Sequence, residues 1–94
     1  MSSDKNSRNR SPILDEIHLR YLTVDEALLR LDKYLNDAFM AGLIRVIVIH
    51  GKGAGILRQA VRSQLARHSL VKSHQAGGYG EGGEGVTIVE LAHR

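Results

Sequence analysis

The run His50-Gly51-Lys52-Gly53-Ala54-Gly55, set between an apolar stretch and a helix-forming one, is where this sequence is best equipped for chemistry. A glycine-rich turn that leaves a strand and opens a helix offers free backbone N–H groups and the positive end of the helix dipole to an anion. Phosphate is the expected occupant, held by amides around Gly51, Gly53 and Gly55, with Lys52 and Arg58 adding charge. The run lacks both the spacing before Gly-Lys and the Ser or Thr after it that a Walker A loop requires, so nucleoside triphosphate binding is not expected. A tight turn alone would use the glycines but would not also call for His and Lys. His50 stands where strand meets loop, the place where ligands collect in open α/β sheets, and imidazole titrates near neutrality. A general acid or base working on a phosphodiester is one role for it, and a structural histidine with both nitrogens satisfied is the other.

Further candidates surround this run. Arg58 and Arg62 are spaced i, i+4, where like charges repel unless a counter-ion intervenes; a nucleic-acid backbone would supply one, while Arg62 could equally serve solubility. His18 and Arg20 alternate with Ile17 and Leu19 and so leave the opposite face of a strand. Parallel pairing would bring Arg20 near His50, which groups His50, Arg20 and His18 as candidate catalytic residues. The segment from Ala76 to Gly85 holds six of the ten glycines. It reads as a hairpin loop able to approach a ligand through Gly82 and Gly83, with Tyr79 at its centre for stacking on a base. His68, His74 and His93 lack ligand spacing and carboxylate company and are expected at the surface. No compact His, Asp and Glu cluster is visible, so no dedicated metal site is expected and Mg²⁺ or Mn²⁺ would arrive with substrate.

The elements that must position these residues follow from periodicity. Ile17 to Arg20 alternates as a strand with one covered face. Thr23 and Glu26 form a capping box ahead of Val24, Leu28, Leu31, Leu35 and Phe39, which predicts a helix from Val24 to Ala41 stopped by Gly42. Leu43 to Ile49, apolar and β-branched except for Arg45, predicts a central strand, and Ile56 to Arg67 a second helix. Leu70 to Gln75 is polar enough for an edge strand, and Val86 to Leu91 is the last strand. The expected fold is an α/β chain of the α+β two-layer sandwich type, βαβαββ, with right-handed parallel crossovers and a final antiparallel hairpin. Its four-stranded mixed sheet takes the order 1-2-4-3, with two helices on one face. Residues 1–13 read as a flexible basic tail or linker and 14–94 as the folded domain.

Composition narrows the function classes. With 94 residues, 43% of them hydrophobic, the chain is expected to form one small domain around a modest core. It has no cysteine, which removes disulfides, thiolate metal sites and cysteine nucleophiles. No apolar run reaches the length of a membrane span and no secretory h-region opens the sequence, so a cytoplasmic protein without membrane contact is expected. The net charge is only +3. Yet no acidic residue lies between Asp37 and Glu81, while Arg45, Lys52, Arg58, Arg62, Arg67 and Lys72 do. Half the chain thus carries one sign of charge, suited to an anionic partner.

Three stretches in order, LTVDEAL from Leu22, HGKGAGILR from His50 and GEGGEGVTIVEL from Gly80, resemble the Smr (small MutS-related) domain over Ile17 to Leu91. Such domains occur at the C-terminus of a branch of MutS-type ATPases and as stand-alone proteins. Their fold is similar to the C-terminal domain of translation initiation factor three. The resemblance implies nucleic-acid binding, and in several members metal-assisted nicking of DNA or cleavage of RNA; other members act on ribosomes or messenger RNA. It carries the family signature onto His50, Gly51, Lys52 and Gly53, its following arginine onto Arg58, and its late glycines onto Gly82, Gly83 and Gly85. The first motif departs from the family: His18 stands where a carboxylate is usual, Arg20 agrees with the MutS-linked variant, and Tyr21 replaces a glycine and is expected to crowd the site. The expected function is a nucleic-acid-binding domain that nicks DNA, linked to repair or recombination control, within a larger MutS-type ATPase. DNA is expected over RNA. The alternative is a non-catalytic RNA or ribosome adaptor using the same basic surface, favoured by the missing carboxylate.

Overall fold

A computed structural model describes residues 13–78, 80 and 82–93 of the chain. The elements run β1 (Glu16–His18), α1 (Val24–Met40), β2 (Arg45–Ile49), α2 (Ile56–Arg67), β3 (Val71–Ala76), a single 3₁₀ turn at Gly83–Gly85, and β4 (Val86–Leu91). This is the βαβαββ order read from periodicity, and the sheet order is β1-β2-β4-β3 as expected. β1 runs parallel to β2, while β4 is antiparallel to both β2 and β3.

Local chemistry sets the ends of α1. Thr23 Oγ1 accepts from the Glu26 amide at 3.2 Å and Glu26 Oε1 accepts from the Thr23 amide at 3.3 Å, which satisfies two donors that a helix start leaves open. At the other end Leu43 N–H donates to Ala38 O and Gly42 N–H to Phe39 O, a Schellman arrangement that needs the left-handed φ of +84° found at Gly42. The helix thus closes one residue before Ala41, which serves as its cap. β2 begins two residues later than its apolar run, because Leu43 is spent on that motif and Ile44 O accepts from Leu91 N–H.

Pleating divides the sheet. Val46 and Val48 on β2, with Val89 and Leu91 on β4, face Ala27, Leu31, Leu35 and Ala38 of α1 and Val61 and Leu65 of α2. Burial of each such Val or Leu is worth about 1.5–3 kcal/mol. Leu19, just past β1, completes this core. Ile47, Ile49, Val86 and Ile88 point to the other face in register with Glu16, His18 and Gln75. Tyr34 of α1 fastens the segment ahead of β1 by donating its hydroxyl to Leu14 O at 2.5 Å. Burial, with Asp15 and Glu16 close by, pushes that phenol up to about 12.

Candidate nucleic-acid interface

Between β2 and α2 the chain makes a loop in which Gly51, Gly53 and Gly55 have φ of +82°, +41° and +86°. At two of these glycines an arginine side chain also lies close. A Cβ on Gly51 would press within 3.2 Å of Arg20 Cγ, and one on Gly55 within 2.8 Å of Arg58 Nη2. The loop is fastened from one side, since His50 and Gly51 both donate their amides to Gly85 O, at 3.1 and 2.9 Å. Gly55 N–H donates back to Lys52 O. The amides of Lys52, Gly53 and Ala54 have no backbone acceptor among the described residues. Next to them lie the first-turn amides of α2, which a helix leaves open. Where α1 is closed by its own capping box, the N-cap of α2 is Gly55, with no side chain to cap and no acidic residue in the first turn. Donors and dipole are left for an outside anion.

His50 belongs to the support of this loop. It is 4% exposed. Its Nδ1 lies 2.9 Å from Gly51 O, an acceptor only, so Nδ1 carries the proton and donates. Nε2 is then the acceptor for the hydroxyl of Thr87, 2.8 Å away and itself fully buried. Thr87 Oγ1 in turn accepts from Arg62 Nε at 3.3 Å. Burial pushes the imidazole below its ordinary range, the bond to Gly51 O opposes this, and the nearby Arg62 and Arg58 charges add to the lowering. The result is a neutral ring with both nitrogens occupied by the protein, the structural alternative named above.

The other candidates divide. Arg20 reaches the loop, lying against Gly51, and lines the groove beside it with Tyr21, Lys52 and Ile56. Arg58 lies over Gly55 and donates from Nη1 to Glu84 Oε1 at 2.9 Å. Gly82 and Gly83 carry φ of +98° and +58°, and with Gly85 they bring the late loop to the edge of the site, where Gly82 lines a second concavity with Arg20, Gly51 and Lys52. Tyr79 lies outside the described residues. His18 is not brought to this site: its pairing with Ile49 puts it on the sheet face away from the helices, where Nε2 contacts Glu16 Oε2 at 3.0 Å. His50 binds Thr87 on the helix-facing side, so the two histidines leave opposite faces. Arg62 turns inward instead of outward, and its Nη2 is buried without a partner among the described residues. His68, expected at the surface, is mostly buried and meets Asp32 Oδ1 of α1 at 2.9 Å. Tyr21 does not crowd the loop; it is 92% exposed.

Thr87 and Glu84 were not visible as site residues in the sequence. Thr87 lies in an apolar strand and Glu84 in a glycine run, and only the β2–β4 register and the return of the late loop bring them to His50 and Arg58. The one polar residue on the inward side of an otherwise apolar strand was the available signal for Thr87. Among the described residues, the side chains ringing the loop apart from Glu84 are cationic or neutral. No group of three or more His, Cys, Asp or Glu able to hold a metal occurs among the described residues. The described residues around the loop therefore do not fit a divalent cation held by the protein alone.

Comparison with known proteins agrees with this architecture. The model of the Smr domain family matches residues 17–92. Endonuclease MutS2 of Caldicellulosiruptor saccharolyticus is 54% identical over 91 residues, covering 96% of this chain and 12% of the relative. Endonuclease MutS2 of Pelotomaculum thermopropionicum is 58% identical over 86 residues, covering 92% and 11%. The chain therefore spans about an eighth of the length of these relatives or less. Among solved structures, the Smr domain of Thermus thermophilus MutS2 superposes with a TM-score of 0.82 at 48% identity, covering 84% of this chain and 99% of that one. YdaL, a stand-alone small MutS-related protein from Escherichia coli, superposes with a TM-score of 0.77 at 26% identity, covering 82% and 63%.

Proposed function

The chain belongs to the Smr domain family, and on that premise we propose that it grips a nucleic-acid backbone at the loop from His50 to Gly55. The observation that carries this reading is the uncapped start of α2, with three left-handed glycines behind it and Arg20, Lys52 and Arg58 around it. A phosphate would take the amides of Lys52, Gly53 and Ala54 and draw Arg58 away from Glu84. His50 acts here as a positioning residue that holds the loop's first peptide in place. DNA is the expected strand, bound in a cytoplasmic setting on behalf of a larger MutS-type ATPase engaged in repair or recombination control. RNA, including ribosomal RNA, is the alternative target of the same surface. Equilibrium binding to DNA and RNA oligonucleotides across a salt series tests both. Lys52→Ala should weaken binding and reduce the salt slope by about one. An unchanged affinity and slope would remove Lys52 and the loop from the reading.

Strand nicking is the second reading, favoured by the name endonuclease that the relatives carry and by Arg20, whose guanidinium sits at the loop's rim. In that reading Arg20 and the loop amides stabilise charge on the phosphodiester. Supercoiled plasmid incubated with Mg²⁺ or Mn²⁺ tests it. Nicking that disappears in Arg20→Ala supports cleavage, and salt-sensitive binding without nicking leaves the domain as a grip.

A further inference from the structure

Tyr21 is the one described non-glycine residue with a positive φ, +70°, a conformation that L-residues with a side chain of this size rarely adopt. That strain does not serve the core, for the ring is 92% exposed. Arg20 holds it instead. The Arg20 guanidinium carbon lies 5.1 Å from the ring centroid and Nη2 donates to Tyr21 Oη at 3.1 Å, while the aliphatic part of Arg20 lies against Gly51. An aromatic ring is thereby tied through Arg20 to the loop from Gly51 to Gly55 while staying almost wholly open to solvent. Ile56, 67% exposed, lines the same groove, a concavity of about 370 Å³ whose floor is Gly51 to Gly55. The groove thus pairs backbone donors and cations with a flat apolar wall.

We propose that Tyr21 is a base-stacking residue, and that the substrate class of this site is a strand with an unpaired base, single-stranded or frayed, rather than intact duplex. Each base has a π-face that a tyrosine can take without reading sequence, and a base within a duplex keeps both faces stacked on its neighbours. The proposal rests on the reading of the loop as a backbone grip, and adds what happens beside it.

The test compares a short thymidine oligonucleotide, its uridine counterpart, an abasic strand of equal length and a blunt duplex, by fluorescence anisotropy with the whole chain. The native chain should prefer the base-bearing strands over the abasic one by about tenfold. Tyr21→Gly should erase that preference and Tyr21→Phe keep it, with affinity for the abasic strand unchanged in both. Tyr21→Gly suits its backbone angle, so a melting temperature at or above that of the native chain separates lost stacking from lost folding. The chain has no tryptophan and three tyrosines. With Tyr34 and Tyr79 replaced by Phe, the remaining tyrosine emission should be quenched by the thymidine strand and not by the abasic one. A preference that survives Tyr21→Gly, or its absence in the native chain, overturns the proposal while the backbone grip stands. Salt-insensitive binding of the abasic strand, unaltered by Lys52→Ala, overturns the grip itself.

Discussion

Replacing Thr87 with Val keeps the volume of a fully buried side chain and removes only the hydroxyl that His50 and Arg62 share. His50 Nε2 then loses its donor at a buried contact, and Arg62 Nε loses its acceptor beside an Nη2 that already has none among the described residues. A buried polar group left unsatisfied costs about 1–3 kcal/mol. The 2.8 Å contact to His50 belongs in the middle of that range, and the longer 3.3 Å contact to a half-buried guanidinium at its foot. Together they predict a loss of about 2–3 kcal/mol, a large part of the stability of a small domain. In a chain of this size that lowers the melting temperature by about 10–20 °C. Thr87→Ser provides the contrast, since it keeps the hydroxyl and deletes one buried methyl, at about 1 kcal/mol. Urea titrations and thermal melts of the three chains should rank native above Ser above Val. Nitrogen NMR of His50 should show the proton on Nδ1 in the native chain and in Thr87→Ser. If Val equals or exceeds Ser in stability, the hydroxyl contributes nothing and the reasoning about this network is wrong.

Glu84→Gln should tighten nucleic-acid binding about twofold to fivefold and steepen its salt dependence, because it releases Arg58 from an exposed ion pair; weaker binding in the same titration would mean that Glu84 positions Arg58 rather than competing for it. Acidification should destabilise the fold. The His50 imidazole is pushed below its ordinary 6.5 in the folded chain, so the unfolded chain takes up the proton first, and stability falls as pH drops below about 6.5 until the folded ring also titrates. Denaturation between pH 7 and 5 should show a shallower slope in His50→Asn than in the native chain, and parallel slopes would contradict the assignment. Gly82→Ala should cost about 1–3 kcal/mol, since φ is +98° and the new methyl falls against Val86 Cγ2. Gly53→Ala, at φ +41° with open space around it, should cost less, and thermal melts that reverse this order would refute the packing account.

The order of elements and strands was legible because each carries its own period. The Thr23–Glu26 box, the Leu31–Leu35 face and the β-branched runs of β2 and β4 act locally, and their burial follows. The loop from His50 to Gly55 was legible for the same reason, as left-handed glycines at a helix start have few other uses. What could not be read were facts of register and rotamer. Alternation placed His18 and Arg20 on one face, but β1 ends at His18, and the turn that follows frees Arg20 to swing toward Gly51 while His18 stays on the far side of the sheet. Arg62 looked like an outward cation, for a phosphate backbone or for solvent, because its i, i+4 spacing from Arg58 says nothing of Thr87, which approaches from 25 residues away. Tyr21 looked obstructive because its bulk is visible in sequence and its backbone angle is not.

The Gly85 carbonyl, which fastens both His50 and Gly51, stands at the mouth of a strand that is last in sequence among the four yet interior in the sheet. Until that strand docks, β2 and β3 each show a bare edge and the phosphate loop has nothing to set its first two peptides. Synthesis from the N-terminus therefore delivers both helices and three strands before the grip exists. During synthesis the carbonyl that fastens His50 and Gly51 therefore emerges after everything the loop is attached to. The same geometry makes loss or unpairing of β4 a way to loosen the loop from His50 to Gly55 without changing any residue within it.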